Sequence, residues 1–121
     1  MKIKLNLKFF YVYVLKCHND KYYVGKTIDI NTRYKAHKSG HGSKWTREHR
    51  PINIEHLETT SNKRLEMAKT LEYMKKYGIN NVRGGPYCRM VLPWWIKRII
   101  YAQLSHTCFR CGKRGHFAKD C

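Results

Sequence analysis

Acids are scarce in this chain. Eight Asp and Glu stand against 25 Lys and Arg, which leaves a formal net charge of +17 over 121 residues. A surface like that attracts polyanions, so the partner classes in play are nucleic acid and an anionic membrane face. Long apolar runs are missing as well. The longest stretches, FFYVYVL near the start and MVLPWWI further on, fall far short of a membrane span. No long amphipathic segment speaks for binding at a bilayer surface. Nothing reads as a secretory signal, because the opening MKIKLNLKFF alternates Lys with apolar residues as a strand does. Paired cysteines are lacking too. Three of the five lie in the last fourteen residues, while Cys17 and Cys88 stand apart. That fits a reducing interior. The expectation is an intracellular nucleic-acid protein, with no membrane partner and with nucleus and cytoplasm undistinguished. Oligomeric state is left open.

What is present is enough for a core. Apolar residues make up 42%, and the length allows one compact domain plus a small appendage. FYVYVLKC is β-branched and aromatic and predicts a strand; HND is a turn, and KYYVGKT a second strand, so the pair reads as a hairpin. Asp29 can cap a helix through NTRYKAHK that ends at Gly40, and HGSKW reads as a polar loop. PINIEHLET predicts a third strand. Ser61 then opens a helix over 62–77, with Leu65, Ala68, Leu71 and Met74 as its core stripe and Gly78 as its end. INNVRGGPY reads as turns, and a short helix starts near Pro93. Trp45, Trp94 and Trp95 are expected to pack connector against core rather than stack on bases. The fold class is therefore α+β: a three-stranded antiparallel sheet flanked by helices over 8–90, a helical connector over 91–107 and a metal clip over 108–121.

The clip is C-x2-C-x4-H-x4-C, from Cys108 through Cys111 and His116 to Cys121. Those ligands satisfy a closed tetrahedral zinc site, and so short a segment folds largely on the metal's binding energy. In the main unit, Tyr11 and Tyr13 share one face of the first strand and Tyr23 stands on the second. Arg33 and His37, four apart, share a helix face. Glu66 is a lone acid on the longest helix. Beside arginine, histidine and tyrosines, one carboxylate can hold magnesium next to a substrate phosphate, since that ion keeps several waters.

YVY at 11–13 and YVG at 23–25, with ten residues from Tyr13 to Tyr23, resemble the paired signature of the GIY-YIG nuclease superfamily. Lys26, Arg33, His37 and the Glu66-x6-Tyr73 spacing follow in that family's order, and Asn81 matches its late polar residue. Tyr11 stands where the first motif has its name-giving glycine. The resemblance covers residues 9–87 and implies phosphodiester hydrolysis with magnesium or manganese. Under it Arg33 neutralises phosphoryl charge, Glu66 holds the metal, and Tyr13 or Tyr23 orients or deprotonates the attacking water. His37 relays the proton or contacts phosphate, Lys26 assists, and Tyr11 and Asn81 are further candidates. Gly25 is read as structural, letting the chain pass close to the site.

CFRCGKRGHFAKDC resembles a CCHC zinc knuckle. That resemblance implies strand binding by stacking and base-edge contacts. Phe109 and Phe117 are expected to be exposed for it, with Arg110, Lys113, Arg114 and Lys119 around them. A protein partner is the alternative for this module. Tethered beside the catalytic unit, it would raise the local concentration of nucleic acid there. The expected function is a metal-dependent endonuclease on DNA, with RNA as the second choice. Branched, flapped or nicked duplexes, as arise in repair or recombination, suit it best. The competing readings are a non-catalytic DNA- or RNA-binding module and a subunit that cuts only within a larger assembly.

Overall fold

Val- and Tyr-rich stretches on either side of His18–Asp20 form the hairpin at the centre of the fold. β1 (Phe10–Cys17) and β2 (Lys21–Thr27) pair antiparallel. The turn between them takes Asn19 and Asp20 to φ of 65° and 57°, a region that Asn and Asp tolerate better than other side chains. The structure, a computed structural model, describes residues 9–113. α1 (Ile30–Lys38) starts where the Asp29 carboxylate accepts from the Thr32 amide at 3.1 Å and the Thr32 hydroxyl at 2.8 Å. α2 (Lys44–Glu48) follows, then β3 (Pro51–Thr60), α3 (Leu65–Tyr77), β4 (Val82–Gly84) and α4 (Trp94–His106). Among the described residues no helix is long and apolar enough to cross a membrane.

The sheet is four-stranded and mixed, in the order β3-β1-β2-β4, rather than three-stranded and antiparallel. β4 lies parallel to β2 through Tyr22–Val82, Tyr23–Arg83 and Val24–Gly84. A parallel neighbour needs a crossover, and α3 lies between β3 and β4 in the chain and packs against β2 and β4. Three residues ending in glycine carry no alternation to read, so in sequence the segment reads as turns alone. α2 is the second departure. Ser43 caps it, accepting from the Thr46 amide at 3.1 Å, so HGSKW is in part a helix start. α3 begins at Leu65 instead of 62, because the Asn62 side chain accepts from the Arg64 amide at 2.9 Å and makes residues 62–64 a turn.

The two faces of the sheet bury different things. Val12, Val14, Val24 and Val82 pack against Leu65, Leu71 and Met74 of α3 and Ile100 of α4. The opposite face carries Tyr13, Leu15 and Cys17 under α1, with Tyr23, Tyr34 and Ile54 beside them. Arg83 fastens the far edge. It is buried, and its guanidinium donates to the carbonyls of Ile79, Val82, Arg89 and Met90 at 2.6–2.9 Å. Its flat side lies 4.4 Å from the Trp45 ring centre, and Trp45 Nε1 donates to the Tyr22 carbonyl at 2.9 Å. α2, β4 and the segment leading to α4 are thereby locked together.

α4 runs straight into the first turn of the C-terminal clip. The Gly112 amide donates to the Cys108 carbonyl at 2.7 Å and the Cys108 amide to Lys113 at 2.9 Å. This turn is seated on the main unit. Asn62 Nδ2 donates to the Cys111 carbonyl at 2.8 Å, and a Cβ on Gly112 would come within 2.5 Å of Arg64 Cβ. Phe109 corrects an expectation. Instead of standing free it is half-buried against the α3 core, with Lys75 Nζ 5.7 Å from its ring centre. The parent domain supplies the cover that the short clip cannot. Arg110 and Lys113 are exposed. Arg114, His116, Phe117, Lys119 and Cys121 lie outside the described residues.

Candidate active site at the open edge of β2

Tyr13 and Gly25 face each other across the hairpin. A Cβ on Gly25 would sit 2.3 Å from the Tyr13 hydroxyl, so the phenol lies in the space the missing side chain leaves. Strand alternation puts Tyr23 on the same face two residues earlier. Its ring centre is 6.4 Å from that of Tyr13. His37 comes down from α1, 4.9 Å from the Tyr23 ring, and is itself seated where Gly42 has no side chain. Its Nε2 is 2.9 Å from the Tyr13 hydroxyl and its Nδ1 2.8 Å from Thr46 Oγ1. The Thr46 hydroxyl donates to the Ser43 carbonyl at 3.1 Å, which makes its oxygen an acceptor toward the ring. Nδ1 then carries the proton, and Nε2 accepts from Tyr13. Thr46 and Ser43 carry no site signal in the sequence, although a serine just ahead of a helix is an N-cap signal.

Burial decides the protonation states. Tyr13 is 2% exposed. Burial raises its pKa far above the phenol range, Tyr23 and Glu66 add to the rise, and Arg33 opposes it. Tyr23, half-buried, is pushed up to about 12 by burial first, with Arg33 and a hydrogen bond from Ser43 acting the other way. His37 is brought down to about 4 by burial and by Arg33. Both phenols and the imidazole are therefore neutral at pH 7.

Arg33 and Glu66 reach this cluster from opposite layers. Arg33 is exposed on α1, one turn before His37. Glu66 is half-buried in the first turn of α3, and burial raises its pKa while Lys26 lowers it. The charges of both act on Tyr13 and on Tyr23. The topology permits this because β4 covers β2 only as far as Val24. Beyond it, at Gly25–Thr27, no described strand pairs with that edge. Cys88 also belongs to this neighbourhood, although nothing in its spacing marks it as a site residue. Its thiol donates to the Gly85 carbonyl at 3.0 Å, and burial followed by Glu66 raises its pKa.

Other expected residues lie elsewhere. Tyr11 shares the Tyr13 face of β1 and lines a cleft with Phe10, Ile28 and Asp29. Asn81 sits past the end of α3, accepting from Lys21 Nζ at 2.7 Å and donating to the Tyr77 carbonyl at 2.8 Å. Its amide is engaged in joining β2 to α3, and Glu66 is at the other end of that helix. Tyr73 packs against Tyr22 and Tyr77. Among the described residues no group of three or more His, Cys, Asp or Glu is placed to hold a metal ion. Glu66 is the lone carboxylate at the open edge, a donor set that suits a hard cation completed by substrate phosphate and water. Cys108 and Cys111, on one tight turn, suit half of a zinc site.

The GIY-YIG catalytic domain pattern matches residues 9–81 and the zinc knuckle pattern residues 107–121. A UPF0213 protein of Halalkalibacterium halodurans is 35% identical over 82 residues, spanning 64% of this chain and 87% of its own. One from Clostridium perfringens is 39% identical over 66 residues, 54% of this chain and 70% of its own. The UPF0213 protein YazA of Bacillus subtilis is 38% identical over 66 residues, 54% of this chain and 66% of its own. No solved structure matches the chain. With three fifths of its length inside the first pattern, the chain belongs to the GIY-YIG family and groups there with UPF0213 proteins.

Proposed function

We propose that the protein is a divalent-metal-dependent endonuclease that hydrolyses phosphodiester bonds in DNA. One juxtaposition supports the reading: the buried Tyr13–His37–Thr46 chain, with Tyr23 beside it, adjoins a strand edge that β4 leaves uncovered, Arg33 stands one helical turn before His37, and Glu66 is near enough for its charge to bear on both phenols. A module that only binds polyanions has no need of a half-buried carboxylate there. Tyr23, the less buried phenol, meets the attacking water. Tyr13, held by His37 and Thr46, fixes the position of that phenol and of the imidazole. Arg33 donates to the phosphoryl oxygens as their charge grows, with a planar fork suited to phosphate. Glu66 holds magnesium or manganese, which when bound polarises the phosphate and stabilises the leaving oxygen. Lys26 lies on the Glu66 side and helps keep that carboxylate ionised.

A phenol near pKa 12 is a weak base at neutral pH. Cation charge gathered by substrate binding lowers it, and Arg33 is already in place to do so. Zinc on Cys108, Cys111, His116 and Cys121 would order the clip, whose Arg110 and Lys113 extend the positive surface toward DNA. The test is incubation of the purified protein with linear, nicked, flapped and branched DNA, and with RNA, with and without magnesium. Magnesium-dependent product from DNA is the expected result. Arg33→Ala should slow cleavage by about 3 kcal/mol, the loss expected on removing one transition-state donor. Tight binding with no product on any substrate would favour the non-catalytic reading, or a subunit that needs its assembly.

A further inference from the structure

α4 leaves most of its aromatic surface uncovered. Ile96, Ile100 and Leu104 face the core. Trp94 is 72% exposed, Trp95 46% and Tyr101 62%, with Ile99 also exposed. These tryptophans do not pack the helix onto the sheet, contrary to expectation. Trp95, Ile99 and Ala102 recur one turn apart and form one stripe, while Trp94, Arg98 and Tyr101 form the next. The first stripe opens on a groove of about 700 Å³ between α4, the start of α3 and the clip turn. Arg64 and Lys113 are the basic residues of its lining, and Met67, the residue after Glu66, lines it as well.

We infer that this stripe and groove bind an unpaired DNA strand and lead it to the Glu66 end of α3. Charge settles the choice of occupant. From Tyr73 to Lys119 the sequence contains no Asp or Glu. The face instead carries Arg98 and also Arg89, whose guanidinium lies 5.8 Å from the Trp95 ring centre. Aromatic faces interleaved with cations are what a single strand uses, bases stacking and phosphates pairing. With Phe109 packed away, α4 offers the described stacking surface that the clip's own first aromatic does not. The docked clip turn then fixes the far wall of the groove. The inference deepens the nuclease reading by naming the strand-binding site beside it, and it rests on DNA being the substrate.

The test is binding of a short fluorescein-labelled oligothymidylate and of a duplex of equal length, without added divalent metal, at fixed salt. A Trp94→Ala/Trp95→Ala variant should weaken oligothymidylate binding roughly ten- to hundredfold, as expected for one or two lost stacking contacts. Its duplex affinity should change far less, and its melting temperature should match the wild type. Arg98→Gln, at an exposed position, should weaken strand binding more than duplex binding and guards against a folding defect in the double variant. Unchanged strand binding overturns the inference, as does an equal loss on strand and duplex. So does a wild-type dimer, seen by sedimentation, that the double variant turns to monomer with DNA binding intact, because the face would then join two copies of the chain. Cleavage without any strand preference removes only this inference. Strand binding through α4 with no cleavage removes only the nuclease reading.

Discussion

Lowering the pH from 7 to 5 should destabilise the protein, and one buried imidazole should carry much of the loss. His37 is 1% exposed, with both ring nitrogens engaged by Tyr13 and Thr46. Burial and Arg33 hold its pKa at about 4 in the fold, whereas an imidazole in the unfolded chain titrates near 6.5. Arg33 is the nearby cation, and Tyr13, Tyr23 and Thr46 around the ring are neutral in this range. The unfolded chain therefore takes up the proton first. Stability is complete above the unfolded value and falls as the pH drops through 6.5 toward 4. At about 1.4 kcal/mol per unit, the loss is about 2 kcal/mol by pH 5 and about 3 kcal/mol by pH 4. Other groups titrate in the same window, so the informative quantity is a difference between proteins. Urea unfolding followed by circular dichroism, at pH 7 and pH 5, should be run on wild type and His37→Gln. The variant is weaker at pH 7, having lost a packed ring. Between the two pH values the wild type should lose about 2 kcal/mol more than the variant, or about 1 M in midpoint at ordinary urea slopes. Equal losses would mean that the imidazole is not held neutral, and the Tyr13–His37–Thr46 chain would have to be redrawn.

Three more outcomes follow from the same geometry. Gly25→Ala drives a methyl into the Tyr13 hydroxyl, so it should cost about 1–3 kcal/mol in unfolding measurements and remove nearly all cleavage. Arg83→Met leaves the carbonyls of Ile79, Arg89 and Met90 without their donor. Thermal melting should show a loss of about 3 kcal/mol or more, where a surface arginine would give almost none. Cleavage under single-turnover conditions should rise with pH between 6 and 9, since the Tyr23 phenol is pushed up to about 12 and its reactive form grows with pH. There should be no inflection near 6.5, because His37 stays neutral throughout; a clear one there would make His37 the base instead.

The site was legible to the extent that it follows strand alternation and helix spacing. Tyr13 and Tyr23 emerge together because ten residues through a tight turn return the chain to the same face. Gly25 reads as structural in sequence, and the structure says what it makes room for. β4 was hidden because three residues ending in glycine have no period, and its pairing depends on α3 crossing the sheet first. Thr46 was hidden for a related reason: a five-residue helix is too short to show a stripe. Phe109 and the α4 tryptophans exchanged fates. Sequence assigns an aromatic in a short clip to solvent and tryptophans on a helix to the core. Here the clip is docked on α3 and takes the cover, while Ile96, Ile100 and Leu104 already fill the buried side of α4.

The central claim is that Glu66 and the phenols beside it form a catalytic centre rather than an accident of packing. Glu66→Ala tests it most directly, because the substitution removes one carboxylate and no positive charge. Wild type and variant should be compared for magnesium-dependent cleavage of branched DNA and, in parallel, for binding of the same substrate at fixed salt. The variant should form no product while binding at least as tightly as wild type. Cleavage by Glu66→Ala at the wild-type rate would contradict the claim.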